Sequence, residues 1–138
     1  MTSRVFVDTN VWVYAVDSAE PVKQARAQEA TAPGQGREIV ISSQVLSEFY
    51  TVVTRKLANP LDEDEAAAMV DRLANLHVVS VDADLVSRAI ASSRDWRISL
   101  WDALIVRAAE AAGCDIVVSE DLADARSYGT ITVSNPFA

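Results

Sequence analysis

Asp8, Glu48, Asp102 and Asp121 are the residues of this 138-residue chain whose types and settings point to chemistry. Asp8 closes the apolar run Arg4-Val5-Phe6-Val7, and a carboxylate directly ending a buried strand is costly unless something binds it. Glu48 falls on the border of the helical face formed by Val45, Leu46, Phe49, Val52 and Val53, from which a side chain can point into a cleft. Asp102 lies among Leu100, Trp101, Ala103, Leu104 and Ile105. A helix N-terminus there would stabilise its ionised form. Asp121 follows a second apolar run, Ile116-Val117-Val118, within a few residues. Ionised carboxylates are what a hard cation such as magnesium requires. Each acid also has a plainer reading: Asp102 as the acidic partner of a Ser99 cap, Asp121 as a turn residue, Glu48 as a solvated flank. Four acids meeting at one place would argue for chemistry more strongly than any one alone.

Such a meeting depends on the elements that carry them. The apolar runs predict strands at 4–8, 38–41, 77–81, 115–119 and 130–133. Helical spacing predicts a short turn over 10–14 and helices over about 21–30, 43–58, 62–73, 83–94 and 100–112. Val22 and Ala25 are expected inside the first of the longer helices. Pro21 suits a first helical turn, and Ser42 or Ser43 caps the 43–58 helix. Asp62 with Glu65 forms a capping-box-like pair, and Gly113 stands at a helix end. Residues 94–97 read as a polar connection with an embedded Trp96, and 120–129 as a loop with one helical turn. Strands alternating with helices define an α/β domain around a parallel sheet of about five strands, single over 1–138. In such a sheet the strand ends carrying Asp8 and Asp121 share one edge. The start of the 43–58 helix and the N-terminus of the 100–112 helix return to that same edge.

Composition narrows the chemistry. One cysteine, Cys114, excludes an internal disulfide framework and a CxxC metal site, and one histidine, His77, excludes a His-rich zinc site. His77 is expected to be structural. The net charge of −8 argues against non-specific nucleic-acid binding through Lys and Arg. Two divalent cations on four carboxylates would move that charge from −8 to −4 and place positive charge where a phosphate would sit. No apolar run approaches the roughly 18 residues of a membrane span, and the start of the chain lacks the pattern of a signal peptide. A cytoplasmic protein is the expectation. Trp12, Trp96 and Trp101 are expected in the core, with stacking on RNA bases as the other reading.

The sequence resembles the PIN-domain ribonucleases, and among them the VapC toxins of bacterial toxin–antitoxin pairs. The resemblance is carried in order by Val7-Asp8-Thr9-Asn10-Val11, Ser47-Glu48-Phe49, Leu100-Trp101-Asp102-Ala103-Leu104-Ile105 and Val118-Ser119-Glu120-Asp121-Leu122, with Asn135-Pro136-Phe137 at the close. It implies a three-layer fold with the parallel sheet between helices. It also implies that Asp8, Glu48, Asp102 and Asp121 hold magnesium or manganese, with Asn10 and Ser119 as supporting residues. The implied reaction is hydrolysis of an RNA phosphodiester. Metal-bound water and metal-stabilised oxygens would overcome the repulsion between a phosphodiester and hydroxide. The implied partners are an RNA substrate, a cognate VapB-type antitoxin and a second copy of the chain in a homodimer.

Two other functions compete. A magnesium-dependent phosphatase of the haloacid-dehalogenase type also places an Asp after its first strand. It needs a second Asp two residues on, where this chain has Asn10, and a downstream Lys, whereas no Lys follows Lys56. A non-catalytic PIN-like scaffold that binds RNA or protein would be expected to have lost its acids, and all four stand here.

Overall fold

The structure is a computed structural model and describes residues 3–138. Its elements run β1 (Ser3–Val7), α1 (Thr9–Ala15), α2 (Pro21–Thr31), β2 (Arg37–Ser42), α3 (Ser43–Arg55), α4 (Glu63–Leu73), β3 (His77–Val79), α5 (Ala83–Trp96), α6 (Leu100–Ala111), β4 (Ile116–Val118), β5 (Ser127–Tyr128) and β6 (Ile131–Ser134). The strands form one six-stranded sheet in the order β3-β2-β1-β4-β6-β5. Every pairing is parallel except that of β5 with β6.

The short apolar strands are buried from both sides because helices cover both faces. Val5, Val7, Ile39 and Val118 face one way and pack with Val11 and Ala27 of α1 and α2. Phe6, Val40 and Val117 join Leu85 and Ala89 of α5 and Leu104, Ile105 and Ala108 of α6. A third apolar cluster, around Val13, Phe49, Val53 and Ala66, welds α1 to α3 and α4. This is the expected three-layer α/β arrangement.

The chain turns back on itself beside β1. After β1 it builds outward to β2 and β3, then returns to lay β4 on the other side of β1. Such a reversal opens a crevice at the carboxyl ends of the two central strands. Val7 pairs with Val118 in register, so Asp8 and Ser119 are the first residues past the sheet on either side of that crevice.

Several local expectations are corrected. Residues 94–96 continue α5 instead of forming a connection, and the helix ends with Arg97 in the left-handed conformation (φ 56°). The stretch 120–129 holds a strand, β5, that turns through Gly129-Thr130 into β6, giving six strands where five were expected. In α2 the buried residue is Ala27, while Val22 is 71% exposed. Alanines scattered around that helix leave its inward face undetermined by spacing. α3 ends at Arg55, three residues early.

Candidate active site

Asp8 is set by the end of β1. Its backbone N–H still donates to Val118 O at 2.9 Å, extending the ladder by one bond. Its extended backbone (φ −71°, ψ 160°) makes it the N-cap of α1. Oδ1 accepts from the Thr9 backbone N–H at 2.7 Å, and Oδ2 accepts from Ser119 Oγ at 2.7 Å. The residue is only 5% exposed. Burial pushes its carboxyl up to about 7. The bonds from Ser119 and Thr9 oppose that rise, and the charges of Asp121 and Glu48 add to it.

Ser119 is the node of the site. It is fully buried, donates to Asp8, and accepts the Asp121 backbone N–H at 3.1 Å. Asn10 Nδ2 approaches both Asp8 Oδ2 and Ser119 Oγ at 3.5 Å, the outer limit of a hydrogen bond. Asn10 Oδ1 accepts the Glu120 backbone N–H at 3.1 Å. The first turn of α1 and the loop after β4 are thereby tied across the crevice, which fixes where Asp121 begins.

The two helix-borne acids come from either flank. Glu48, in the second turn of α3, accepts from Thr9 Oγ1 at 3.0 Å. Asp102 lies in the first turn of α6, where its own backbone N–H is capped by Ser99 Oγ at 3.1 Å. The Ser99 cap is therefore real, and the Ser99 hydroxyl engages the Asp102 carboxylate as well as its backbone N–H. Burial raises the Asp102 carboxyl, the Ser99 bond lowers it, and the charge of Asp121 raises it further.

All four acids thus lie on the carboxyl edge, coupled through space: Asp8 to Asp121 and Glu48, Asp102 to Asp121. No basic side chain among the described residues forms an ion pair with any of them. Equally, no three His, Cys, Asp or Glu side chains among the described residues gather tightly enough to hold a metal ion. The donors suit a hard cation in kind, being carboxylate oxygens throughout.

A depression of about 300 Å³ beside Asp8 is lined by Thr9, Asn10, Tyr14, Glu48, Glu120 and Asp121 among others, with Asp8 and Asp102 outside its lining. Its rim holds a feature that the sequence did not signal. Lys23 of α2 pairs with Glu120 Oε2 at 2.8 Å and donates to Tyr14 Oη at 3.3 Å, with its ammonium 4.7 Å from the Tyr14 ring centre. Glu120 is thus turned to Lys23, away from the other acids. Thr9, which orients Glu48, also had no signal beyond its place between Asp8 and Asn10.

A family model described as the PIN domain matches residues 5–127. The chain belongs to the PIN-domain family. Among curated protein sequences none matches the chain. Several solved structures share its fold. VapC20 of Mycobacterium tuberculosis, described as a Sarcin-Ricin loop cleaving toxin, is 24% identical with a TM-score of 0.63, over 85% of this chain and 89% of that one. A toxin–antitoxin complex from Klebsiella pneumoniae gives 15% and 0.68, over 96% and 97%. DNA-bound VapBC from Salmonella typhimurium gives 20% and 0.63, over 99% of each chain. For this PIN domain the haloacid-dehalogenase alternative falls away. No helix among its described residues is long and apolar enough to cross a membrane.

Of the three tryptophans in this PIN domain, Trp12 and Trp96 are partly buried against the core, as expected. Trp101 is not: it is 63% exposed, immediately before Asp102. The helical spacing of Leu100 to Ile105 gave no reason to separate it from its apolar neighbours. His77 stands at the start of β3 and pairs with Glu38 at 3.1 Å, remote from the acids in a structural setting.

Proposed function

We propose that this chain is a metal-dependent endoribonuclease, the toxin of a VapBC-type toxin–antitoxin pair. The observation that carries it is the Asp8–Ser119–Asp121 linkage, with Glu48 and Asp102 on the same edge and, among the described residues, no cationic partner on any of the four acids. Asp8, Glu48, Asp102 and Asp121 would hold magnesium, with manganese as the substitute. A divalent ion bound there supplies activated water and charge stabilisation on the phosphodiester oxygens. Ser119 fixes the Asp8 carboxylate, Thr9 aims Glu48, and Asn10 holds the Glu120 backbone so that Asp121 starts from a fixed point.

The test is cleavage of RNA by the purified protein. Magnesium should support it, chelation should abolish it, and Asp8→Asn should lower it by at least a hundredfold. Equal cleavage by Asp8→Asn would sink the assignment. One observation favours a second function, a binding scaffold without catalysis: the acids do not form a closed metal cluster. RNA binding without chelator-sensitive cleavage would support that alternative.

For the antitoxin we propose the apolar groove of about 680 Å³ between α1, β2, α3 and α4. Trp12, Val16, Phe49, Met69 and Leu73 line it, and Arg37 and Arg72 stand at its sides. Such a groove suits an amphipathic helix with acidic flanks. Solved relatives include toxin–antitoxin complexes, which supports a partner of this kind. Met69→Glu should abolish capture of the cognate antitoxin and leave RNA cleavage intact. Sedimentation tests the accompanying proposal of a homodimer.

A further inference from the structure

We propose that the slot beside Trp101 is a subsite for one nucleobase of a single-stranded RNA, next to the phosphate that the acidic centre would engage. It rests on the ribonuclease function proposed above and names how that site takes its substrate.

The slot has a volume of about 320 Å³, the scale of a single planar group, and lies between the starts of α3 and α6. Glu48 lines both this slot and the depression beside Asp8, so the two are adjoining compartments of one cleft. Trp101 forms one wall and is the most exposed aromatic of the chain's three tryptophans, at 63%. An indole this exposed has surrendered its burial, and a base stacked on it would recover that contact.

Beside Trp101 the lining is apolar at Val81 and Leu104 and polar at Ser43, Gln44 and Ser47. Gln44 Nε2 donates weakly to Trp101 O at 3.4 Å, while its Oε1 is buried with no donor among the described residues. Ser43 Oγ accepts from the Val81 N–H at 3.0 Å and keeps its own proton to donate. The exposed Ser47 Oγ donates back to Ser43 O at 3.3 Å. The hydroxyls of Ser43 and Ser47 line the same slot as the Trp101 indole, setting hydrogen-bonding groups for the edge of a base beside an aromatic plate for its face. A divalent ion held by the acids would draw the phosphate to that centre, whereas the slot beside Glu48 has no such counter-charge. The neutral base is what fits there, leaving its phosphate toward the acids. A protein side chain could cover Trp101, but an apolar one would leave the polar part of the lining unpaired.

The test uses the full chain carrying Asp8→Asn, so that RNA is bound with cleavage suppressed, and the probes are ten-nucleotide single-stranded oligo-U and oligo-A. RNA binding should quench tryptophan emission, and the quench should be absent in Trp101→Ala. That substitution should weaken binding roughly ten- to a hundredfold, and Trp101→Tyr should restore most of it. An abasic nucleotide scanned along the probe should, at one position, make Trp101→Ala and its parent bind equally. In the cleaving protein the loss should fall on KM more than on kcat. Unchanged affinity and KM in Trp101→Ala, with RNA still bound and cleaved, would overturn the subsite and leave the ribonuclease function standing. If the parent protein neither binds nor cleaves RNA, both fail. If Trp101 is already shielded from acrylamide and Trp101→Ala turns a dimer into a monomer, the slot belongs to a second copy. If shielding comes only with a protein partner and never with RNA, it belongs to that partner.

Discussion

Ser119 Oγ lies 2.7 Å from Asp8 Oδ2 while accepting the Asp121 backbone N–H at 3.1 Å, so one hydroxyl serves two of the four acids. Its bond to Asp8 stabilises the ionised carboxylate and works against burial. Removing it in Ser119→Ala should therefore move the Asp8 carboxyl further up, above about 7. The same change strips the part-buried Asp121 N–H of its acceptor, at a stability loss of about 1 kcal/mol. Carbon-detected NMR titration of the aspartate carboxyls checks the first effect and chemical denaturation the second. Activity should drop about tenfold, with its acid limb displaced to higher pH. An Asp8 titration that moved down would show that the hydroxyl does not hold the carboxylate.

Asp8 should make the metal-free protein less stable as pH rises. Its folded-state carboxyl stands near 7, well above the ordinary value of an unfolded chain. The folded state therefore holds the proton more tightly than the unfolded state. The associated stability is present at pH 4, falls between about 4 and 7, and is gone above 7. The whole effect is on the order of 4 kcal/mol. Asp8→Asn removes the titration. It should match the parent protein at pH 4 and be the more stable at pH 8 without divalent ions. Adding magnesium at pH 8 should raise the melting temperature of the parent and leave the variant unmoved. Parallel stability curves for the two proteins would rule out a buried, uncompensated carboxylate.

Asp121 is the acid that reaches both sides of the crevice, since its charge raises Asp8 and Asp102 alike. Neutralising it in Asp121→Asn should lower both carboxyls together. Glu48→Gln should lower Asp8, the one of the pair on which its charge acts. A titration in which Asp121→Asn left Asp102 unmoved would separate that acid from the cluster.

Much of this arrangement was legible in the sequence because it rests on signals that tertiary context does not override. Val5 to Val7 and Ile116 to Val118 read as buried strands, so Asp8 and Ser119 had to emerge on one edge. Gly113 marked a helix end and adopts φ 75° there. The losses came where the deciding interaction is long-range. Trp101 is as apolar as Leu104, and only the packing of α6 against α5 and the sheet determines which of them is left outside. β5 is two residues long, too short for any alternation, and exists because β6 offers it an antiparallel partner. Lys23 and Glu120 are 97 residues apart, a pairing that no local pattern encodes.

Cys114 should be inert in the folded protein. It is 3% exposed, and burial raises its thiol to about 11. The thiolate, which is the reactive form, is then about a hundredfold scarcer near pH 8 than in an ordinary cysteine. Alkylation at pH 8 should proceed at least a hundredfold slower than in denaturant. Fast alkylation of native protein would mean that α6 and β4 open locally on the timescale of the reaction.

Arg97 ends α5 without the glycine that such an end usually carries. Its left-handed backbone (φ 56°, ψ 48°) lets its own N–H and that of Ile98 both reach Ser93 O, the latter at 3.1 Å. A side chain in this conformation costs about 1 kcal/mol relative to glycine. Arg97→Gly should relieve that strain while also freeing the unfolded chain, which offsets part of the gain. The net rise should be below about 1 kcal/mol, a few degrees in melting temperature. Gly113→Ala supplies the opposite control. Its Cβ would meet only the Arg4 guanidinium, at an ordinary 3.6 Å, so the backbone alone makes it unfavourable. It should lower stability by about 1 kcal/mol. A stabilising Gly113→Ala beside a destabilising Arg97→Gly would mean that backbone handedness does not set these two helix ends.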